Sequence, residues 1–417
     1  MSRSFKDVWW IAFICVFCIF STYGLGFIGW DLLVSKYQQY FLVLIPMILT
    51  LINFHSVRGY NGVWKSIIPY MIIMPFISCI SKLLILGEDA FSIMYPIYIS
   101  LTFFMFYAYS AYKVSESTII NGFLIIGLIT LVIQIYQQIT GVVYFDLFMR
   151  FFTQESTRND LSRYQIGCPY LQLFCFLYVW DKAKEKMTPI YLVLTALFGV
   201  SVYLYLTRQL LAIAIAAIFI SFFINGKKQS KKIWVVSLIL LIYGMYKYWD
   251  ALFSNFVTET KTDDGFFIRF VSIEFFFKQT FSNIFGTIFG FGQSSYEERW
   301  YSKGIFASDA GISGDMYHYG ITWAIVYFVQ VYKIFKVHKG IPVYIKLFVI
   351  ATFINCIFSL PYHAYDQAFI WVSMLYIESL YVNKSLKYSR RYEKENSNFS
   401  LIQKGTNKWK SVYKQIV

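Results

Sequence analysis

Runs of 16 to 22 consecutive, mostly apolar residues recur along the chain, separated by short polar stretches. A helix of about 20 such residues spans a hydrocarbon layer of ~30 Å, whereas a soluble core uses shorter runs broken by polar turns. The pattern predicts an all-α, polytopic membrane protein with about 12 transmembrane helices. They fall at 8–24, 38–54, 66–86, 91–110, 119–139, 165–180, 189–206, 209–224, 233–249, 317–335, 342–360 and 367–383. Lys82 interrupts the third span, and the seventh and eighth nearly touch. An even count puts both termini on one side. The first span follows a short basic start but is followed by many more and lacks a small-x-small cleavage site, so it reads as a helix and not as a signal peptide.

Two stretches are too long for turns: 140–164 and the 67 residues of 250–316. Loops of that length are usually functional or disordered, and the second is too aromatic for disorder. Inside it, FFIRFVSIEFFFKQTFSNIFGTIFGFG has apolar runs broken at Arg269, Glu274 and Lys278, the last two one helical turn apart. That pattern predicts an amphipathic helix at the membrane surface or a re-entrant element. The chain then divides into a polytopic membrane domain, 1–383, which contains the large loop 250–316, and a basic tail, 384–417.

Composition points the same way, with 58% hydrophobic and 14% charged residues in 417. A soluble chain carries about a quarter charged residues. The net charge of +14 would suggest nucleic acid on a soluble protein; on a membrane protein its distribution sets orientation. With the termini inside, the inner segments hold 23 Lys and Arg against ten outside, and six acidic residues against sixteen. The positive-inside rule therefore predicts N-in, C-in, with Lys227, Lys228, Lys231 and Lys232 as a local anchor. The six cysteines lie in or at the ends of spans and read as packing residues; no disulfide framework, zinc spacing, Walker loop or dinucleotide fingerprint emerges. Neither a cofactor nor a metal is expected.

The polar groups that carry information lie at the outer helix ends. Residues 189–224 form a run of 36 that would make a helix of about 54 Å, so it must turn back, near LYLTRQ. Arg208 then sits at the outer mouth between two apolar helices, where it marks the membrane edge or meets an anion. Arg269 is a second such residue, satisfied either by Asp263 or Asp264 or by a ligand. Guanidinium groups present a permanent charge and a planar donor fork suited to phosphate oxygens. A third cluster, SDAGISGDMYHYGI, leads into the tenth span, and its amides and glycine turns suit an anion- or acceptor-binding entrance. In it, Asp309 or His318 is placed to take a proton from a hydroxyl. The alternatives are that Asp315 caps a helix and that His318 bonds a backbone carbonyl. Arg150, Arg158 and Arg163 read as a solvated loop, His363 and Asp366 as a short outer turn, and Glu378 as a helix–helix polar contact.

Three strings, TRQLLAIAIAAI, IRFVSIEFFF followed by IFGFG, and SDAGISGDMYHYGITWAIV, occur in the order and setting found in bacterial O-antigen and capsular polysaccharide polymerases of the Wzy type. The chain resembles that family, within the wider O-antigen ligase and polymerase superfamily; the strings themselves occupy about 190–330. The resemblance implies a GT-C-like membrane glycosyltransferase of the bacterial plasma membrane, working on its extracytoplasmic side. Such enzymes move a growing glycan from undecaprenyl diphosphate onto a lipid-linked repeat unit, alongside a flippase and a chain-length regulator. Arg208 and Arg269 match the family's diphosphate-contacting arginines, and Asp309 the acceptor side; His318 lies in a comparable region without reproducing the ligases' histidine motif. Direct displacement at the anomeric carbon needs charge stabilisation and one base, and predicts inversion. A surface-polymer ligase and a polysaccharide transporter are the alternatives; a transporter would place its polar residues near mid-membrane.

Overall fold

The apolar runs fold as helices. In the computed structural model the residues described are 44, 46–53, 64–87, 101–140, 157–158, 161–162, 169–205, 208–224, 265–292, 300, 303–307, 310–336, 341–357 and 368–382. They comprise α1 (Trp64–Leu86), α2 (Phe104–Tyr112), α3 (Glu116–Thr140), α4 (Pro169–Lys186), α5 (Pro189–Leu204), α6 (Arg208–Ser221), α7 (Gly265–Thr280), α8 (Ile284–Phe289), α9 (Gly311–Tyr319), α10 (Ile321–Lys336), α11 (Val343–Asn355) and α12 (Ala368–Val382). A two-residue antiparallel pairing of β1 (Thr157–Arg158) with β2 (Leu161–Ser162) interrupts the helical pattern. The spans expected at 8–24 and 233–249 lie outside the described residues. Among the described residues two helical segments are long and apolar enough to cross a membrane, Ser66–Leu86 and Glu116–Tyr136; α5, α10, α11, α12 and most of α6 are apolar and shorter.

α1 and α3 are apolar on their outer as well as their inner faces. Ile73, Phe76, Ile80 and Leu84 of α1 and Ile125, Ile129, Val132 and Tyr136 of α3 form exposed apolar stripes at helical spacing. On the inward faces of the same two helices lie Ser78, Ser81 and Lys82, and Thr130 and Gln134. Gln330, Asn355, Ser373 and Glu378 are likewise buried. Polar groups turned inward and apolar groups outward are what a hydrocarbon solvent selects.

Glycine brings three helices together on the inner faces. A Cβ at Gly127 of α3 would lie 2.8 Å from the Phe198 ring of α5 and 3.0 Å from Cys175 Sγ of α4. At the same point Gln172 Nε2 donates to the Gly127 carbonyl at 2.9 Å. The helix ends sort into two groups. At one end Tyr344 and Tyr381 donate to the two oxygens of Glu116 (2.7 and 2.6 Å), the Tyr344 amide donates to Asp181, and Lys184 donates to the Ser221 carbonyl. At the other end Tyr170, Gln209 and Asn355 are hydrogen-bonded in series. The starts of α4 and α6 and the end of α11 therefore share one end, and their opposite termini share the other.

A second body is built from α7, α8 and α9 against α1 and α10. Its core is Phe276, Phe291, Ala307, Ala310 and Tyr317, with Trp300, Ile85 and Leu86 packed around it. The amphipathic element expected in 250–316 is here α7, a turn, and α8. Glu274 and Lys278 pair at 2.5 Å on its exposed side. Beside them Phe270, Phe277, Phe281, Ile284, Phe285 and Ile288 are exposed, while Ser272, Phe276 and Thr280 face inward.

The tenth span, expected as one helix over 317–335, is two. Gly320, at φ +84°, separates α9 from α10 because the backbone there must clear the Ile288 carbonyl, 2.2 Å from where a Cβ would stand. The partner segment obeys the same constraint: a Cβ at Gly290 (φ +82°) would lie 2.2 Å from the His318 carbonyl oxygen. That approach lets the Phe291 and Gly292 amides donate to the Tyr317 and His318 carbonyls (2.8 and 2.9 Å), satisfying the end of α9. Gly290→Ala combines an overpacked backbone, typically ~1–3 kcal/mol, with an extended positive-φ conformation (ψ 166°) essentially reserved for glycine, which costs a further ~1–3 kcal/mol for a side chain. Thermal unfolding in detergent should show a large loss for Gly290→Ala. Gly122→Ala, with nothing within 4 Å of the added methyl, should leave the midpoint unchanged or slightly raised.

Candidate functional site

The 36-residue apolar run turns back as its length demands, with α5 ending at Leu204 and α6 opening at Arg208. The neighbouring residue fixes this opening. Gln209 Nε2 donates to Asn355 Oδ1, and Asn355 Nδ2 donates to the Tyr170 hydroxyl. Asn355 and Tyr170 are buried, so these bonds form away from water. The start of α6 is thereby tied to the end of α11 and the start of α4.

The same end of α11 meets α9. The Ile312 amide donates to the Cys356 carbonyl at 2.8 Å, and Gly311, at φ +53°, comes so close that a Cβ would lie 2.2 Å from the Ile357 carbonyl oxygen. The Ser313 and Gly314 amides point to the Ala310 carbonyl. This corrects the expectation that the amides of this stretch form an anion-binding entrance: the three at 312–314 are committed to protein carbonyls. Asp309 lies outside the described residues. On either side of it Ala307 and Ala310 are buried.

Arg269 approaches from α7. It is half-buried, one turn before Ser272 on the same face as the buried Ser272, Phe276 and Thr280. Ser272 Oγ accepts the Phe306 amide at 3.2 Å, and Phe276 stacks obliquely on Tyr317 with ring centroids 5.2 Å apart. Because Gly314 also abuts Ala307, α7 and α9 run side by side in the same direction. Arg269 is therefore at the Gly311 end of α9. Asp263 and Asp264, its alternative partners, lie outside the described residues. Of the four residues singled out in the sequence, Arg208 and Arg269 thus belong to segments that approach the start of α9, and Asp309 lies outside the described residues.

His318 belongs to the other end, seven residues or about 10 Å along the helix from Gly311. Its ring is buried, with 6% of the residue exposed, between Tyr317 and Tyr319, and its carbonyl receives Gly292. Asp315 is not the cap considered for it. It sits at the fifth position of α9 because the helix begins at Gly311, well before the expected 317. Its Oδ2 accepts the indole N–H of Trp323 at 3.2 Å. Burial pushes its carboxyl up to about 7, against the downward pull of His318 one turn on and of the Trp323 bond.

Sequence reasoning passed over Asn355 and gave no role to Gln209, the last residue of LYLTRQ; it noted Asp315 only as a cap and Lys82 only as an interruption of the third span. Lys82 offered a signal, as the sole charge in an apolar span; it is 1% exposed, and its stem lies against Gly292, 3.0 Å from the position of an added Cβ. The chain matches no protein-family model and no curated protein. Its site is therefore read from its own residues.

The raised carboxyl has a pH consequence. Between the unfolded value of about 4 and the folded value of about 7 the native state holds a proton that the unfolded chain has released, so this group's contribution to stability falls as pH rises through that window, by up to ~1.4 kcal/mol per pH unit. Asp315→Asn keeps an acceptor for Trp323 and cannot ionise. Its unfolding midpoint relative to wild type should rise between pH 5 and pH 8; a constant difference would contradict the shift.

Proposed function

We propose that this protein is a polysaccharide repeat-unit polymerase of the bacterial plasma membrane, an inverting glycosyltransferase that acts on undecaprenyl-diphosphate-linked glycans. The observation that carries the reading is the meeting of the α6 start at Arg208, the Arg269 end of α7 and the first turn of α9, just after Asp309 in the sequence. Two arginines and a carboxylate at one mouth are the groups that departure of a diphosphate and attack by a hydroxyl require. The apolar exposed stripes and inward polar residues support a bilayer as the solvent. The grouping of helix ends agrees with alternation of the described helices; the excess of Lys and Arg in the inner segments is what supports an N-in, C-in arrangement of about 12 spans with the arginines on the extracytoplasmic side.

In this reading Arg208 and Arg269 hold the donor diphosphate. The acceptor hydroxyl of a lipid-linked repeat unit attacks the anomeric carbon, the bond to the diphosphate oxygen breaks, and Asp309 receives the hydroxyl proton. The leaving diphosphate carries away the electron pair, and its charge is met by the two guanidinium groups. No covalent glycosyl-enzyme forms, so configuration inverts. His318 serves as an anchor of α9, through its buried ring and the Gly292 bond. No metal or cofactor is required by this chemistry. A flippase that delivers repeat units and a chain-length regulator are the partners it implies.

Reconstitution with purified undecaprenyl-diphosphate repeat units should give a ladder of glycan lengths. Transfer to a different final acceptor without elongation would favour a ligase. Arg208→Ala and Arg269→Ala should each lower turnover by 10²-fold or more while the protein still inserts, and near-wild-type activity in both would remove the diphosphate role. Sidedness is open to a separate check: in a cysteine-substituted protein, an impermeant maleimide should label Ser230→Cys only from the cytoplasmic face and Ser162→Cys only from the opposite one.

A further inference from the structure

Asn355 stands at the end of α11 where, among the described residues, the two halves of this mouth are joined. It is 2% exposed and uses both atoms of its amide: Oδ1 accepts from Gln209, next to Arg208, while Nδ2 donates to Tyr170 at the start of α4. The next carbonyl along the chain, Cys356, holds the Ile312 amide, and the Ile357 carbonyl bears on Gly311. These three consecutive residues therefore contact the donor-side helix and the acceptor-side helix at once. A side chain with one donor group and one acceptor group, each engaged with a different helix, fixes its own orientation and theirs. No purely apolar residue of similar shape can do both, and a buried amide stripped of either partner is left with an unsatisfied polar group.

We propose that Asn355 is a positioning residue for the transfer reaction, setting the start of α6, which bears Arg208, at a fixed distance from the first turn of α9. This rests on the diphosphate reading of Arg208. It assigns Asn355 no contact with substrate. Its effect passes through Gln209 to the arginine on one side, and through the Cys356 and Ile357 carbonyls to the acceptor segment on the other. Loss of the amide should therefore loosen diphosphate binding in the same way as loss of Arg208, and the two losses should not add.

The test is a double-mutant cycle on the full-length protein in nanodiscs, with binding of undecaprenyl diphosphate alone as the first readout and thermal unfolding as the second. Arg208→Ala should weaken binding at least tenfold. Asn355→Leu, and independently Gln209→Leu at its half-buried position, should each weaken it about fivefold or more, with a further change under twofold in the Arg208→Ala background. Gln209→Leu carries the test if Asn355→Leu unfolds. A merely structural role would lower the unfolding midpoint and give losses that multiply with Arg208→Ala, which overturns the proposal. Wild-type binding in Gln209→Leu and in a folded Asn355→Leu, with binding lost in Arg208→Ala, overturns it also and leaves the diphosphate reading standing. Unchanged binding in Arg208→Ala removes that reading and this proposal with it.

Discussion

Backbone packed on backbone holds the loop-derived part of this molecule in place. α9 is nine residues long, too short to be a stable helix alone, and it is fastened at both ends by main-chain contacts. At its start the Cys356 carbonyl takes the Ile312 amide, and at its end the Phe291 and Gly292 amides take its last carbonyls. Each joint needs a glycine: Gly311 at one, Gly290 and Gly320 at the other, all with positive φ and with a carbonyl oxygen where a Cβ would be. Without those approaches the arginine of α7 would have no fixed relation to the arginine of α6.

The two bodies share aromatic packing and differ in what is added to it. α3, α4 and α11 meet through edge-on rings, Phe123 on Phe174 and Phe174 on Phe348, and α7 and α9 meet ring to ring through Phe276 and Tyr317, with Phe291 stacked on Tyr317. The larger body adds close approach at Gly127 and buried polar pairs, Ser201 donating to Gln134 and Gln172 to the Gly127 carbonyl. In the bilayer proposed above, close approach and polar pairing supply specificity that apolar contact alone does not.

Features set by local spacing could be read from the sequence. The turn before Arg208 followed from a run too long for one crossing, and the Glu274–Lys278 pair from a four-residue interval. What could not be read were contacts between distant segments. IFGFG and GISGDMYHYG each drew notice for their glycines, yet nothing in their spacing tells that one caps the other. Asp315 looked like a cap because the helix was expected to begin at 317; the early start at Gly311 depends on the end of α11, more than forty residues on. Asn355 drew no notice because a lone asparagine near a helix end is ordinary. Its two partners lie 146 and 185 residues away.

The glycine joints also bear on how such a protein can change over time. A contact made by carbonyls and amides carries no record of the side chains around it, so most neighbouring positions are free to drift so long as the few glycines stay. Lineages descended from one ancestor could keep this joint and its arginines while losing nearly all other identity. The traces to seek between them are intervals: an arginine opening a helix, a second one 61 residues later, then a glycine doublet and a helix ending in glycine, in that order.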